Sequence, residues 1–265
     1  ISVVWFPGLN PLVGVLGAAV LTFVIGFAFE RFFLRAMTTG QVERPGEYAI
    51  LVTFGLAFFL QYLTLALVGA NPKKVPRFVE YPTINLPTAD NPSLLKVTAG
   101  SITLFGDITI STPRITAAVI ALILLGLLMW FLHRTWTGKA LRAVSQDRQA
   151  AAVTGVNPNT MNTLAFGLGA MIAGLAGAAL VQVFSWVPWV GVPASARSFV
   201  IIVLGGMGSL PGAFLGGLIL GVVEAHGAGC VPDPQRAASY IPAYGMIILT
   251  PVLLLKPTGL FGREL

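Results

Sequence analysis

Charged side chains are scarce in this chain. Only 10% of its 265 residues are Asp, Glu, Lys or Arg, whereas soluble domains average about 25%. The 16 basic and 10 acidic residues are too few to cover the surface of a soluble domain of this size. This shortage excludes an ordinary soluble enzyme, and the 55% hydrophobic content excludes a disordered protein.

Cysteine and histidine are almost absent. The one cysteine, Cys230, excludes an internal disulfide framework. The two histidines, His133 and His226, lie far apart and supply no metal-ligand spacing. The chain also has no phosphate-binding GxxxxGK[ST] loop. We therefore expect no metal, no cofactor, no catalytic residues and no ATP-hydrolysing site of that type.

What the chain does have is long runs without any charge. The mean hydropathy is +0.83, and each run can hold a membrane-crossing helix of about 20 residues. Transmembrane β-strands instead alternate over about 10 residues. The pattern predicts an all-α polytopic membrane protein with about six to seven transmembrane helices. The charge-free runs are 1–29, 48–72, 115–133, 149–196, 198–223 and 237–255.

The spans predicted from these runs include one interrupted region. The interruption is GGMGSLPG, Gly205–Gly212, which indicates either a re-entrant segment or a turn between two full spans. Non-helical backbone within a membrane must be buried in protein or line a cavity, and broken helices recur near transporter substrate paths. The predicted spans are Pro11–Phe29, Ala49–Val68, Ile115–Leu132, Thr160–Val183, two segments within Ser198–Ala228, and Ile241–Leu255.

Candidate substrate-path residues are those at this break and the polar residues in or near spans. An intramembrane ionisable group is a functional candidate by default, although Glu224 also fits a solvated helix end or a structural hydrogen bond. The candidates are Gln61, Gln182, Gly205, Gly206, Gly208, Ser209 and Glu224.

Two polar loops stand out between the spans. The first, Gly69–Pro113, holds six prolines and so cannot be one helix. Within it, the segment Ile102–Ile110 (ITLFGDITI) predicts a short β-hairpin that turns at Gly106-Asp107. This loop is either a solvated cap or a surface for a soluble partner.

The second polar loop, Gly138–Gly155, predicts a short amphipathic helix. This helix either lies on the lipid interface or contacts a cytoplasmic partner.

The net charge of +6 is best explained by basic loop ends at a membrane, not by nucleic-acid binding. If the loop containing residues 138–155 is cytoplasmic, that side carries nine Lys and Arg and the other carries seven. The positive-inside rule then favours this orientation weakly.

Several segments together resemble one family, the LivH-type permease subunits of branched-chain amino acid ABC importers. The resemblance runs through the whole chain in order. The segments are FERFFLRAM (Phe29–Met37), FLQ (Phe59–Gln61), GKALRAVSQDRQAAAVTGVN (Gly138–Asn157), VLGGMGSLPGAFLGGLILGVVEA (Val203–Ala225) and KPTGLFG (Lys256–Gly262).

The resemblance implies a single permease domain over 1–265 in the lipid bilayer of a bacterial inner membrane, with no enzymatic activity of its own. It implies a second, homologous permease, two cytoplasmic ATP-binding subunits and a periplasmic solute-binding protein. Residues 138–155 would be the coupling helix, with Gly138, Arg142, Asp147 and Gly155 contributing to the ATPase contact, and 69–113 the periplasmic loop. The family's Asn-Phe-Ala-His-Gly-like N-terminal motif is not found, so we expect N-terminal spans to be missing.

Three alternatives stay open at this stage. Urea and short-amide ABC permeases share much of the same sequence pattern. A standalone secondary transporter would need buried ion-coupling carboxylates, of which Glu224 is the main candidate. A membrane scaffold without transport activity fits the broken helices least well.

Overall fold

The computed structural model describes residues 11–38, 40, 42–73, 84–88, 91–98, 101–104, 108–230, 234–256 and 258–262. Most of these residues are helical. The helices are α1 (Pro11–Phe29), α2 (Arg35–Thr38), α3 (Pro45–Val68), α4 (Thr112–Arg134), α5 (Trp136–Gln146), α6 (Arg148–Val153), α7 (Pro158–Leu180), α8 (Gly191–Gly205), α9 (Leu210–Cys230) and α10 (Pro234–Leu255).

The hydrophobic runs form long apolar helices at most of the predicted spans. Among the described residues, five helices are long and apolar enough to cross a membrane, and two shorter apolar helices accompany them. Proline in the first turn, where its missing N–H costs nothing, helps to start α3, α4 and α7. The prediction of an all-α polytopic membrane protein is confirmed. The five are Val13–Met37, Pro45–Val68, Thr112–Arg134, Pro158–Leu180 and Leu210–Cys230, and the shorter two are Gly191–Gly205 and Ala243–Leu255.

The interrupted region forms two helices of unequal length. The 15 residues of α8 span about 22 Å at 1.5 Å per residue, less than the roughly 30 Å of a hydrocarbon core. The 21 residues of α9 span about 31 Å. Thus α9 is long enough for a full crossing, whereas α8 is not.

The first span is longer than predicted. The helix does not end at Phe29 but continues through a π-helical turn, Glu30–Leu34, into α2. The Phe29 ring stacks on Phe166 of α7 and on Phe33, with ring centroids 5.9 Å and 5.3 Å apart. Packing on both sides of the turn therefore favours continued helix where the first charged residue predicted a loop.

The polar loop after α3 contains more β-structure than predicted. Strands β1 (Ile84–Thr88), β2 (Asn91–Thr98), β3 (Ser101–Leu104) and β4 (Ile108–Ser111) form an antiparallel sheet in sequence order. The predicted hairpin is confirmed in β3 and β4, whose register pairs Leu104 with Ile108. The predicted turn residues Gly106 and Asp107 lie outside the described residues. Strands β1 and β2 were not predicted, because prolines interrupt their alternation.

The described chain divides into two compact units, Ile1–Pro188 and Trp189–Leu265. In the first unit, α1 packs along α7. A Cβ at Gly26 would collide with Ala170, and one at Gly174 would collide with Thr22. The small residues of α7 thus allow close helix approach, as small-residue spacing in a membrane helix predicts.

In the second unit, α8, α9 and α10 pack against one another. Their core contains Val200, Val203, Leu220 and Leu249, and Leu204 beside it is fully buried. This three-helix unit contains the GGMGSLPG break and Glu224.

Candidate translocation and coupling sites

The predicted coupling segment begins with a sharp reversal after α4. The Thr135 side chain caps α5 by accepting a 3.0 Å hydrogen bond from the Gly138 backbone N–H. Gly138 is buried, and a Cβ there would collide with the backbone of Phe131 and Leu132. Glycine at 138 therefore lets α5 fold back closely against the end of α4.

The segment forms two helices, α5 and α6, instead of the single helix predicted over Gly138–Gly155. Asp147 adopts an extended conformation (φ −148°, ψ 112°) that ends α5. Its Oδ1 accepts hydrogen bonds from the backbone N–H groups of Gln149 (2.8 Å) and Ala150 (3.0 Å), which caps α6. Asp competes well for such capping positions, and the amphipathic spacing alone did not reveal this one.

Gly155 ends the segment. It has φ +89°, a conformation that glycine adopts without steric cost. Its N–H donates to the Ala152 carbonyl (3.0 Å), and the Val156 N–H donates to the Ala151 carbonyl (3.1 Å). These two bonds form a Schellman motif, so Gly155 has a defined structural reason for its position.

Charged and apolar groups of this segment face outward. Arg142 is exposed, whereas Arg148 donates a 2.9 Å hydrogen bond to Asn159 Oδ1. Val153 is 89% exposed and Trp136 is 88% exposed. Exposed apolar side chains at both ends of a charged segment suit a protein or interfacial contact. The amphipathic pattern over Gly138–Gly155 did not predict a role for Val153.

The GGMGSLPG segment is a tight joint between α8 and α9. Gly206 (φ +98°) and Gly208 (φ +86°) take left-handed conformations that favour glycine. The Ser209 side chain then caps α9 by accepting a 3.1 Å hydrogen bond from the Gly212 N–H. A Cβ at Gly205 would collide with Gly212, so the two helices touch through glycine backbone.

The C-terminal KPTGLFG segment packs directly on this joint. The Leu260 N–H donates to the Leu204 carbonyl (3.0 Å), and the Phe261 N–H donates to the Gly205 carbonyl (3.1 Å). These carbonyls lie at the end of α8, where no further helical turn supplies partners. Two segments that carry the family resemblance, far apart in sequence, thus form one structure. Sequence spacing gave no signal of this contact.

The structure gives the four residues predicted at the break local structural roles: Gly205 and Gly206 allow close backbone packing, Gly208 takes a positive φ, and Ser209 caps α9. Gly205 and Gly206 are buried, Ser209 is half-buried and Gly208 is exposed. Gln61, on α3, and Gln182, just after α7, are half-buried residues of the first unit. Their place on a substrate path stays a prediction.

Glu224 lies well inside α9 and has a partner that sequence reasoning missed. Its Oε1 is 3.4 Å from Nε of Arg197 on α8. The two side chains lie at the wall of a small cavity within the second unit. The sequence alone could have singled out Arg197, because it is the one charged residue between positions 149 and 223.

Glu30, at the start of the π-helical turn, is a second missed carboxylate. Only 4% of the residue is exposed, and its Oε2 has no hydrogen-bond partner among the described residues. A buried carboxylate oxygen without a hydrogen bond is costly, and π-helical turns often mark functional positions. The sequence analysis placed it at a loop start because it is the first charge after an apolar run.

The five long apolar helices among the described residues define a polytopic membrane protein. The model of the family "Branched-chain amino acid transport system / permease component" matches residues 3–255. The chain therefore belongs to this family of branched-chain amino acid transport permease components.

Individual relatives agree with this assignment. The chain is 30% identical over 245 residues to the high-affinity branched-chain amino acid transport system permease protein BraD of Pseudomonas aeruginosa, covering 92% of this chain and 72% of BraD. It is 28% identical over 251 residues to LivH of Escherichia coli, covering 94% and 74%. It is also 31% identical over 169 residues to the fructose import permease protein FrcC of Rhizobium meliloti, covering 60% and 46%. No solved structure matches the chain significantly.

Proposed function

We propose that this protein is a transmembrane permease subunit of a bacterial inner-membrane ABC importer for branched-chain or related amino acids. It forms the translocation path with a second permease, receives substrate from a periplasmic solute-binding protein and is driven by two separate ATP-binding subunits. The membership in the permease family carries this proposal, and the relatives BraD and LivH are named for the same substrate class.

The coupling segment supports the dependence on separate ATPases. Residues 136–153 form two short helices between two spans, held by the Gly138 reversal, the Asp147 cap and the Gly155 terminus. A rigid, outward-facing element joined directly to α4 and α7 can transmit a partner's movement to the spans. We propose that Arg142 and Val153 contact the ATPase.

The test is leucine uptake by cells that coexpress the chain with its partner subunits. We expect uptake of radiolabelled leucine that needs intact ATPase subunits and survives a protonophore. Uptake that persists with inactive ATPases and collapses with the protonophore would favour the secondary-transporter alternative, for which Glu30 and Glu224 supply carboxylates.

Arg142→Glu tests the coupling contact more cleanly than a change at Asp147, which would also remove the α6 cap. We expect Arg142→Glu to lower leucine uptake at least tenfold and to lower copurification of the ATPase subunits by a similar factor. A factor of ten corresponds to the free energy of one charge-assisted hydrogen bond. Arg114→Glu is the matched control, since Arg114 is an exposed residue in the first turn of α4, at the opposite end from the coupling segment. Unchanged uptake and retention in Arg142→Glu would refute the coupling role.

A further inference from the structure

The cavity within the second unit has charged and apolar parts. Its volume is about 70 Å³, the space of about five waters when one water needs about 10–15 Å³. Arg197 and Glu224 provide the charged part, and Ala196, Val200, Leu220 and Met246 provide apolar wall. A site of this kind suits a small molecule with charged groups at one end and an aliphatic group at the other.

The Arg197–Glu224 contact is loose for a structural ion pair. The Nε atom of Arg197 lies 3.4 Å from Oε1 of Glu224, longer than the 2.7–2.9 Å typical of a charge-assisted hydrogen bond. The buried Oε1 of Glu224 has no hydrogen bond among the described residues. Buried ion pairs stabilise a fold only when additional hydrogen bonds satisfy both groups. Oε1 of Glu224 can therefore still accept a hydrogen bond from a ligand.

The side chains of Arg197 and Glu224 also differ in their exposure to solvent. The Arg197 side chain is 41% exposed and the Glu224 side chain is 17% exposed. An exposed guanidinium can turn its planar fork toward a carboxylate, whereas the more buried carboxylate can accept hydrogen bonds from an ammonium group. The two charges of an α-amino acid are of opposite sign and adjacent, as are those of Arg197 and Glu224.

We infer that Arg197 and Glu224 are the amino-acid binding point of this permease, an inference that rests on the proposed function. The substrate inserts between the two side chains, with its α-carboxylate on Arg197 and its α-ammonium on Glu224. Its aliphatic side chain then contacts the apolar wall formed by Val200, Leu220 and Met246. The pair closes on itself when the site is empty, which keeps both charges partly compensated within the span.

The test uses the complete importer with binding protein and ATPases in proteoliposomes. Arg197→Gln and Glu224→Gln are expected to lower leucine uptake about tenfold or more, as the loss of one charge-assisted hydrogen bond implies. ATP hydrolysis stimulated by the binding protein is expected to remain, so more ATP is used per leucine. Ser198→Ala, next to Arg197 but with its hydroxyl bonded to the Ala194 carbonyl, is the control and should transport normally.

The charge-swapped double variant, R197E with E224R, separates binding from structure. It restores the ion pair and with it any structural contribution, but it reverses the order of the charges relative to the apolar wall. We expect it to assemble and to remain defective in leucine uptake. Near-normal uptake by the swapped variant, or by both Gln variants, would overturn the inference alone. Failure of the wild-type importer to carry leucine would overturn the proposed function, and this inference with it.

Discussion

The joint between α8 and α9 makes a quantitative prediction about Gly206. Replacing Gly206 by alanine should lower the free energy of unfolding in two ways. The backbone there has φ +98° and ψ 123°, a sparsely populated conformation that costs a non-glycine residue about 1–3 kcal/mol. In addition, the new Cβ would collide with the backbone of Gly262, which would displace the C-terminal segment and its hydrogen bonds to Leu204 and Gly205.

Gly208 provides a matched control two residues away. It has a similar backbone angle, φ +86°, but a Cβ there has no neighbour within 4 Å among the described residues. Gly208→Ala therefore costs only the conformational term of about 1–2 kcal/mol. Gly206→Ala should lose about 1–3 kcal/mol through its backbone conformation and about 1 kcal/mol for each of the two hydrogen bonds to the α8 carbonyls, or about 3–5 kcal/mol in total.

The assay is chemical or thermal unfolding of the purified complex in detergent, followed by a fluorophore on the exposed Cys230. We expect Gly206→Ala to be clearly less stable than Gly208→Ala. Equal loss of stability in the two variants would refute the argument that the C-terminal segment holds this joint.

Three further predictions concern the first unit. Glu30→Gln should raise the unfolding temperature in detergent, because it removes a buried charge whose Oε2 has no hydrogen bond among the described residues; a lower temperature would contradict this cost of burial. Val153→Asp should reduce copurification of the ATPase subunits, because this 89% exposed side chain would no longer offer apolar contact, and unchanged copurification would exclude it from the interface. Gly138→Ala should lower stability and uptake through its collision with the end of α4, whereas Gly126→Ala, with open space around it, should not; equal behaviour of the two variants would contradict the packing described for Gly138.

Sequence reasoning succeeded where a single physical effect dominates. The absence of charge over about 20 residues predicts a span, because an ionised group in hydrocarbon is costly. Gly138 and Gly155 were expected to bracket the amphipathic segment, and Gly155 takes a positive φ where α6 ends. Both features depend on residues close together in the chain.

It failed where distant segments meet. Nothing local to KPTGLFG indicates that its amides complete the end of α8, and nothing local to Glu30 indicates burial within a continued helix. The ion pair of Glu224 with Arg197 likewise depends on how α8 and α9 cross. The Asp147 break is different: the capping signal was local, but the amphipathic spacing around it favoured one continuous helix.

The central claim is that the chain moves amino acids by means of ATP hydrolysed on other subunits. The most direct measurement is the initial rate of leucine uptake by the purified importer in proteoliposomes, with ATP or a non-hydrolysable analogue on the ATPase side. We expect concentrative uptake with ATP and none with the analogue. Equal uptake in both conditions, or uptake by the chain without any ATPase subunit, would contradict it.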